Sequence, residues 1–230
     1  MKNELIKPSG LIKSADRRLF LKRGSLSVAA AGLLMVGCND DEQIPVNPSV
    51  SLGSGDTGIL NYAYALEQLE AAFYAAVIAG GYYANANAEE KQIMADLEKH
   101  ERAHRDFFKA ALGSDAIEDL EVNFSSIDFG SRDSVLGAAK TFEDLGVAAY
   151  NGAGQFLESA DLLLIAGKIV SVEARHAAAI RDLINPGSAD FAGDDLIDMN
   201  GLERTLTFSQ VLTAASAYVI TPLDFSQLPS

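Results

Sequence analysis

The sequence predicts an all-α protein: an antiparallel four-helix bundle over residues 56–186, with a long crossover between its second and third helices and a short helix in the C-terminal tail. Three observations predict it. Four segments of helical length carry apolar residues at helical spacing, each opened by a residue able to cap a helix. Two Glu-x-x-His quartets, Glu101–His104 and Glu173–His176, fall on the apolar seams of the second and fourth segments. The two halves also repeat each other. Leu66-Glu67-Gln68-Leu69, with Tyr74 seven residues after the glutamate, mirrors Phe142-Glu143-Asp144-Leu145, with Tyr150 seven after. A chain of 230 residues holds one such domain with extensions and does not demand two, and 48% hydrophobic content with six prolines and no tryptophan suits an alanine-rich helical fold.

In chain order, residues 1–37 read as a targeting segment, with seven Lys/Arg against two Asp/Glu. Asp16-Arg17-Arg18-Leu19-Phe20-Leu21-Lys22 resembles a twin-arginine export motif, with Asp16 where Ser or Thr is usual. The weakly apolar run at 24–37 is too short to span a bilayer as a helix. It ends in Met35-Val36-Gly37-Cys38, which resembles a lipobox with methionine in place of the usual leucine, so Cys38 is the expected lipidation site; an uncleaved N-terminal anchor is the alternative. The expectation is a periplasmic or cell-envelope lipoprotein held to the membrane by its lipid. Asn39-Asp40-Asp41-Glu42 resembles a surface-export signal. Residues 38–55 read as a flexible acidic tether. Cys38 is the single cysteine, which excludes a disulfide framework and a thiolate metal site. Beyond residue 37 the chain has 11 Lys/Arg and 30 Asp/Glu, a net −19. Such a surface repels nucleic acid and keeps the protein soluble.

The first helix is expected to start at Asp56 or Thr57, either of which can cap it, and to stop at Gly80-Gly81. The second opens with Asn87 as cap and Glu90 three residues later, and ends at Gly113. Its seam is Met94, Leu97, Glu101, His104, Phe108 and Ala111. Residues 114–130 have no period and are long enough to cross the bundle lengthwise. The third helix starts after Ser131 and reaches about residues 152–156; the fourth, capped by Ser159 or Asp161, runs to Ile184 before Asn185-Pro186-Gly187. Its seam is Leu162, Ala166, Ile169, Glu173, His176, Ile180 and Leu183. In the tail, residues 187–230, a short helix is expected over 207–218, capped by Thr207 or Ser209, with Val211, Leu212 and Ala215 packing on the bundle.

The chemistry lies on the two seams. A glutamate and a histidine three apart on a helix point to the same side, so each quartet can offer a carboxylate and an imidazole to one metal. Glu67 precedes the first quartet by 34 residues and Glu143 precedes the second by 30, each gap being right for a helix, a turn and a return. A carboxylate on an apolar seam costs several kcal/mol unless paired, hydrogen-bonded or metal-bound. Four of them, one per helix, imply a shared partner at the centre. Glu70 competes with Glu67, but the internal repeat aligns Glu67 with Glu143 and Glu70 with Gly146. His100 lies at the edge of the seam and reads as a partly exposed or supporting group; Glu98 reads as a solvated or salt-bridged carboxylate. The plainer alternative is a metal-free bundle.

Glu67, Glu101-x-x-His104, Glu143 and Glu173-x-x-His176, in that order over residues 56–186, resemble the dinuclear carboxylate pattern of the ferritin-like superfamily. Residues 66–74, 142–152 and 171–183 resemble in particular an exported bacterial branch that includes desiccation-related proteins. The resemblance implies that Glu101 and Glu173 bridge two metals, that Glu67 and Glu143 are terminal ligands, and that His104 and His176 each bind one metal. It also places Tyr74 and Tyr150 where rubrerythrin-like proteins carry tyrosines beside the site, as hydrogen-bond or redox partners; ordinary helix-packing aromatics are the alternative. Carboxylate and imidazole ligation suits two iron ions, or manganese, and offers nothing soft for copper. The implied function is an oxidoreductase acting on O2 or peroxide with an external electron donor, or a manganese catalase-like dismutase that needs none. A non-enzymatic metal-binding or envelope stress-protection lipoprotein is the alternative from another class. A homo-oligomer is compatible with the sequence, which sets no oligomeric state.

Overall fold

The computed structural model describes residues 49–229; the export motif, the lipobox-like tetrad with Cys38 and most of the expected tether lie outside the described residues. The described part contains α1 (Gly55–Ala79), α2 (Gly81–Asn85), α3 (Ala88–Leu112), α4 (Arg132–Gly154), α5 (Ala160–Ile184) and α6 (Phe208–Ala215). A strand β1 (Val50–Ser51) pairs in parallel with β2 (Leu223–Asp224). Helices α1, α3, α4 and α5 are the expected bundle: α1 packs chiefly on α3, α4 packs on α5, and these two hairpins face each other. No helix among the described residues is long and apolar enough to cross a membrane.

Local chemistry accounts for most helix ends. Asn87 Oδ1 accepts from Glu90 N at 2.9 Å, Ser131 Oγ from Ser134 N, Ser159 Oγ from Leu162 N, and Thr207 forms a full capping box with Gln210. Gly113 ends α3 at φ +59, a left-handed turn that glycine adopts without penalty. The Glu90 carboxylate does not close a box with Asn87. It bonds Arg132 Nε at 2.7 Å and ties the start of α3 to the start of α4.

Several expectations need correction. Ser54, not Asp56 or Thr57, occupies the cap position of α1, without a side-chain bond. Asp56 instead accepts from the backbone amides of Glu158 and Ser159 at 2.8 and 3.0 Å, and so braces the N-terminal start of α5. The five-residue α2 was not expected; Gly80 leaves the helix in an extended conformation and a second short helix restarts behind it. On α3 the buried position after Phe108 is Leu112, while Ala111 is exposed. A period of 3.6 drifts off a strict heptad by that point. The expected tether is also shorter, since Leu52 is fully buried and β1 is paired. The strand pair lies outside the bundle. In the tail, α6 ends at Ala215, sooner than expected, with Val211, Leu212 and Ala215 buried as foreseen.

The crossover runs along α1, whose polar side chains hold it. Asn61 donates to Leu52 O and Asp115 O and accepts from Ile117 N; two turns on, Gln68 donates to Glu118 O and accepts from Leu120 N. With the crossover on one flank and the bundle on the other, α1 is buried on nearly every side. The tail crosses α4 at Gly152. Leu206 N donates to Ala148 O at 3.1 Å, and a Cβ on residue 152 would lie 1.9 Å from Leu206 O. Gly152→Ala will therefore push the tail off α4 and destabilise the fold by about 1–3 kcal/mol. The check is the urea midpoint, which should fall; an unchanged midpoint would mean that the tail does not pack there. Arg181, also buried, bonds both oxygens of Asp144 and both of Asp195, fastening the start of the tail to the α4–α5 hairpin.

Candidate metal centre

The structure brings the six expected residues together at mid-bundle. α1 contributes Glu67, α3 contributes Glu101 and His104 one turn apart, α4 contributes Glu143, and α5 contributes Glu173 and His176. All four carboxylates are fully buried. The atoms fall into two overlapping groups: Glu67, Glu101, Glu173 and His104, and Glu143, Glu101, Glu173 and His176. Glu101 and Glu173 belong to both, each with one oxygen per group. Glu101 Oε2 is 3.4 Å from His104 Nδ1 and its Oε1 is 2.7 Å from His176 Nδ1. Glu173 Oε1 is 2.8 Å from His104 Nδ1 and its Oε2 is 3.5 Å from His176 Nδ1.

The tyrosines cross between the halves. Tyr74 on α1 donates to Glu143 Oε1 on α4, and Tyr150 on α4 donates to Glu67 Oε1 on α1. Burial pushes both phenols well up, and the carboxylate each one faces pushes it further, so both remain protonated donors. Each bond fixes one oxygen of a glutamate and leaves Oε2 turned to the cluster. The duplicated sequence pattern thus becomes a site with near two-fold symmetry.

Do these residues fit metal ions? Glu67 Oε2, Glu143 Oε2, both oxygens of Glu101 and Glu173, and both histidine Nδ1 atoms are buried without a hydrogen-bond partner. Buried polar atoms are rarely left so. The N···O approaches of 2.7–3.5 Å among them lie off the hydrogen-bond direction. They match the edges of a coordination polyhedron: two ligand atoms about 2.1 Å from one ion and at right angles stand about 3 Å apart. Each group supplies four such atoms. The charge fits as well, because four carboxylates balance two divalent cations. The residues fit the group.

Electrostatics without metal reflect the crowding. Burial raises Glu67 well above the usual carboxylate range, and raises Glu143 to about 8 against the pull of His176. Burial also acts on Glu101, but the two imidazoles outweigh it and hold Glu101 at about 2. Burial depresses both histidines; contacts with Glu101, Glu173 and Glu67 overcome this at His104, pushing it up to about 12, and contacts with Glu101, Glu143 and Glu173 push His176 well above the usual imidazole range. Protons thus stand where cations would serve.

Two further groups adjoin the cluster. Glu70, set aside as a ligand, is buried with its Oε1 3.0 Å from the position of a Cβ on Gly146. Burial pushes it well up, reinforced by Glu173, Glu101, Glu143 and Glu67. The repeat pairs Glu70 with Gly146, and equivalent positions in contact must lie beside the axis that relates them. A bulky residue on one side therefore requires a small one on the other, a signal already present in the sequence. His100 Nδ1 lies 2.9 Å from His176 Nε2. Glu98 pairs with Arg102 along α3, as expected of a salt-bridged carboxylate.

Tyr150 also walls a narrow apolar cavity of about 20 Å³ with Tyr62, Phe108, Ala149, Ala153 and Ile165. That is room for roughly one small molecule. Tyr150→Phe will leave Glu67 Oε1 without its donor, costing about 1–3 kcal/mol and weakening metal binding on the Glu67 side about 10–100-fold. Thermal melts and metal titration check the two effects. Equal affinity in the variant would make Tyr150 a packing aromatic only.

The sequence profile described as a ferritin-like domain matches residues 55–186, more than half of the chain. Among curated proteins, none matches the chain significantly.

Proposed function

The chain belongs to the ferritin-like domain family, and from that premise we propose that it is an exported dinuclear metal protein, with iron or manganese bound by Glu67, Glu101, His104, Glu143, Glu173 and His176, that acts as an oxidoreductase on O2 or peroxide. The observation that carries the metal reading is the convergence of buried, unpartnered carboxylate and imidazole atoms in two sets of four. In this reading Glu101 and Glu173 bridge, Glu67 and Glu143 are terminal ligands, and each histidine serves one ion. Two iron or manganese ions held there would supply two one-electron changes, the number that takes peroxide to water. All other contributions come from the chain. Tyr74 and Tyr150 hold the terminal carboxylates in place by bonds from the far hairpin, so each ligand is preorganised by the opposite half. The carboxylates are fully buried, shielded from bulk water by the bundle around them, which suits a reactant as small as O2 or peroxide and not a polymer. Both phenols stay protonated and are the nearest O–H groups to the terminal glutamates, placed to hold or pass a proton or electron there.

The test is turnover by protein loaded with Fe(II) or Mn(II): peroxide loss without a donor supports dismutation, and loss only with a reductant supports a peroxidase or oxidase. Stoichiometric binding with peroxide and oxygen consumption at background would instead support metal sequestration or envelope protection.

Export rests on the twin-arginine and lipobox-like motifs. We propose cleavage before Cys38 and lipidation of that residue, placing the domain on a tether in the periplasm or at the cell envelope. Cys38→Ala should abolish lipid labelling and leave a precursor; unchanged labelling would defeat the anchor.

A further inference from the structure

The near two-fold symmetry of the six ligand groups is broken by His100. His176 turns Nδ1 to the carboxylates, 2.7 Å from Glu101 Oε1, and Nε2 outward to His100 Nδ1 at 2.9 Å. The two rings are within 8° of parallel with centres 5.1 Å apart. That separation is close to the N···N distance plus the two ring radii, so the rings meet edge to edge in nearly one plane and not face to face. This is the geometry of a linear N–H···N bond. The other half has no counterpart. His100 lies four residues before His104, and the residue four before His176 is Val172, whose side chain can accept no hydrogen bond. Among the described residues no hydrogen bond reaches Nε2 of His104, whose side chain is 14% exposed against 4% for His176.

A histidine that binds a metal through one nitrogen carries its proton on the other, and an acceptor at that proton fixes both the tautomer and the ring plane. His100 provides such an acceptor for His176 alone. We propose that His100 is a positioning residue that accepts the Nε2 proton of His176 and so fixes its ring plane, keeping Nδ1 aimed among Glu101, Glu143 and Glu173 where a metal ion can take the place of its proton, and making the two metal positions unequal. The His176 position is preformed and fills first with a divalent first-row cation; the His104 position fills second. The inference rests on the dinuclear reading above and adds an order of filling to it. His100 itself is exposed and donates nothing to the core, so replacing it leaves the packing intact.

The experiment is anaerobic titration of the metal-free full chain with Mn(II) and with Fe(II), combined with anomalous diffraction from crystals given one equivalent of metal. Wild-type protein should bind in two steps, with the single-equivalent peak beside His176. His100→Ala should weaken the first step about 10–100-fold and leave the second unchanged. His100→Asn, whose Oδ1 can stand where Nδ1 of the imidazole stood, should restore most of the loss. A general structural role for His100 would move both steps together and would not be rescued by asparagine. Two equal steps in the wild type, a first peak beside His104, or a first step unmoved by His100→Ala would each overturn the inference while leaving the dinuclear site standing. A wild-type chain that binds no metal at all would overturn both.

Discussion

Glu101→Ala and Glu173→Ala will each disrupt both metal positions at once. The reason is geometric: each carboxylate gives one oxygen to the His104 group and the other to the His176 group. Alanine at either position removes a quarter of the ligand atoms from both groups and leaves one bridge in place of two. Bound metal should fall from two ions per chain to fewer than about one at micromolar metal. Glu67→Ala, by contrast, touches only the His104 group, and Glu70→Ala should retain two ions. Metal counting on the four purified variants distinguishes them. Two ions retained in Glu101→Ala would remove the bridging assignment.

The second large effect is on stability. Metal binds the folded chain and has no preformed site in the unfolded one, so each ion at a hundred times its dissociation constant adds about 2.7 kcal/mol. Two ions add about 5 kcal/mol, which for a domain of this size corresponds to roughly 10–20 °C in melting temperature. Chelation should remove that gain and leave four carboxylates crowded in an apolar interior, offset only by the protonated His104 and His176 and by protons held on Glu67 and Glu143. Melting of loaded and chelated protein measures the difference directly. Identical melting temperatures after complete chelation would mean that the cluster is satisfied without metal.

How much of this was legible in the sequence depends on the range of the interaction concerned. Helix ends set by contacts within three residues, at Asn87, Ser131, Ser159 and Thr207, could be read from local patterns alone. The six-residue cluster was legible because helical spacing fixes which side chains share a face, and four helices can meet only along their seams. What could not be read involves partners far apart in the chain. Asp56 resembles a cap for its own helix, yet its oxygens are used about a hundred residues away. Asn61 and Gln68 look like surface amides at a spacing of seven until the crossover is laid over them. The two-residue strands at 50–51 and 223–224 are too short to leave a period. His100 could be read as a partly exposed or supporting group, but only the approach of α5 makes His176 the group it supports.

The crossed tyrosines are an intermediate case. The repeat placed Tyr74 and Tyr150 at equivalent positions, but each phenol reaches the glutamate of the opposite half, a pairing that follows from hairpin packing and not from spacing.

The measurement that bears most directly on the account is metal quantification with an anomalous diffraction map on protein purified, already loaded, from its native host. The account predicts two ions per chain: one peak among Glu67, Glu101, Glu173 and His104, the other among Glu143, Glu101, Glu173 and His176. A chain that carries no metal from its host and takes up fewer than two ions on reconstitution with Fe(II) or Mn(II), or a map whose peaks lie away from Glu101 and Glu173, would contradict it.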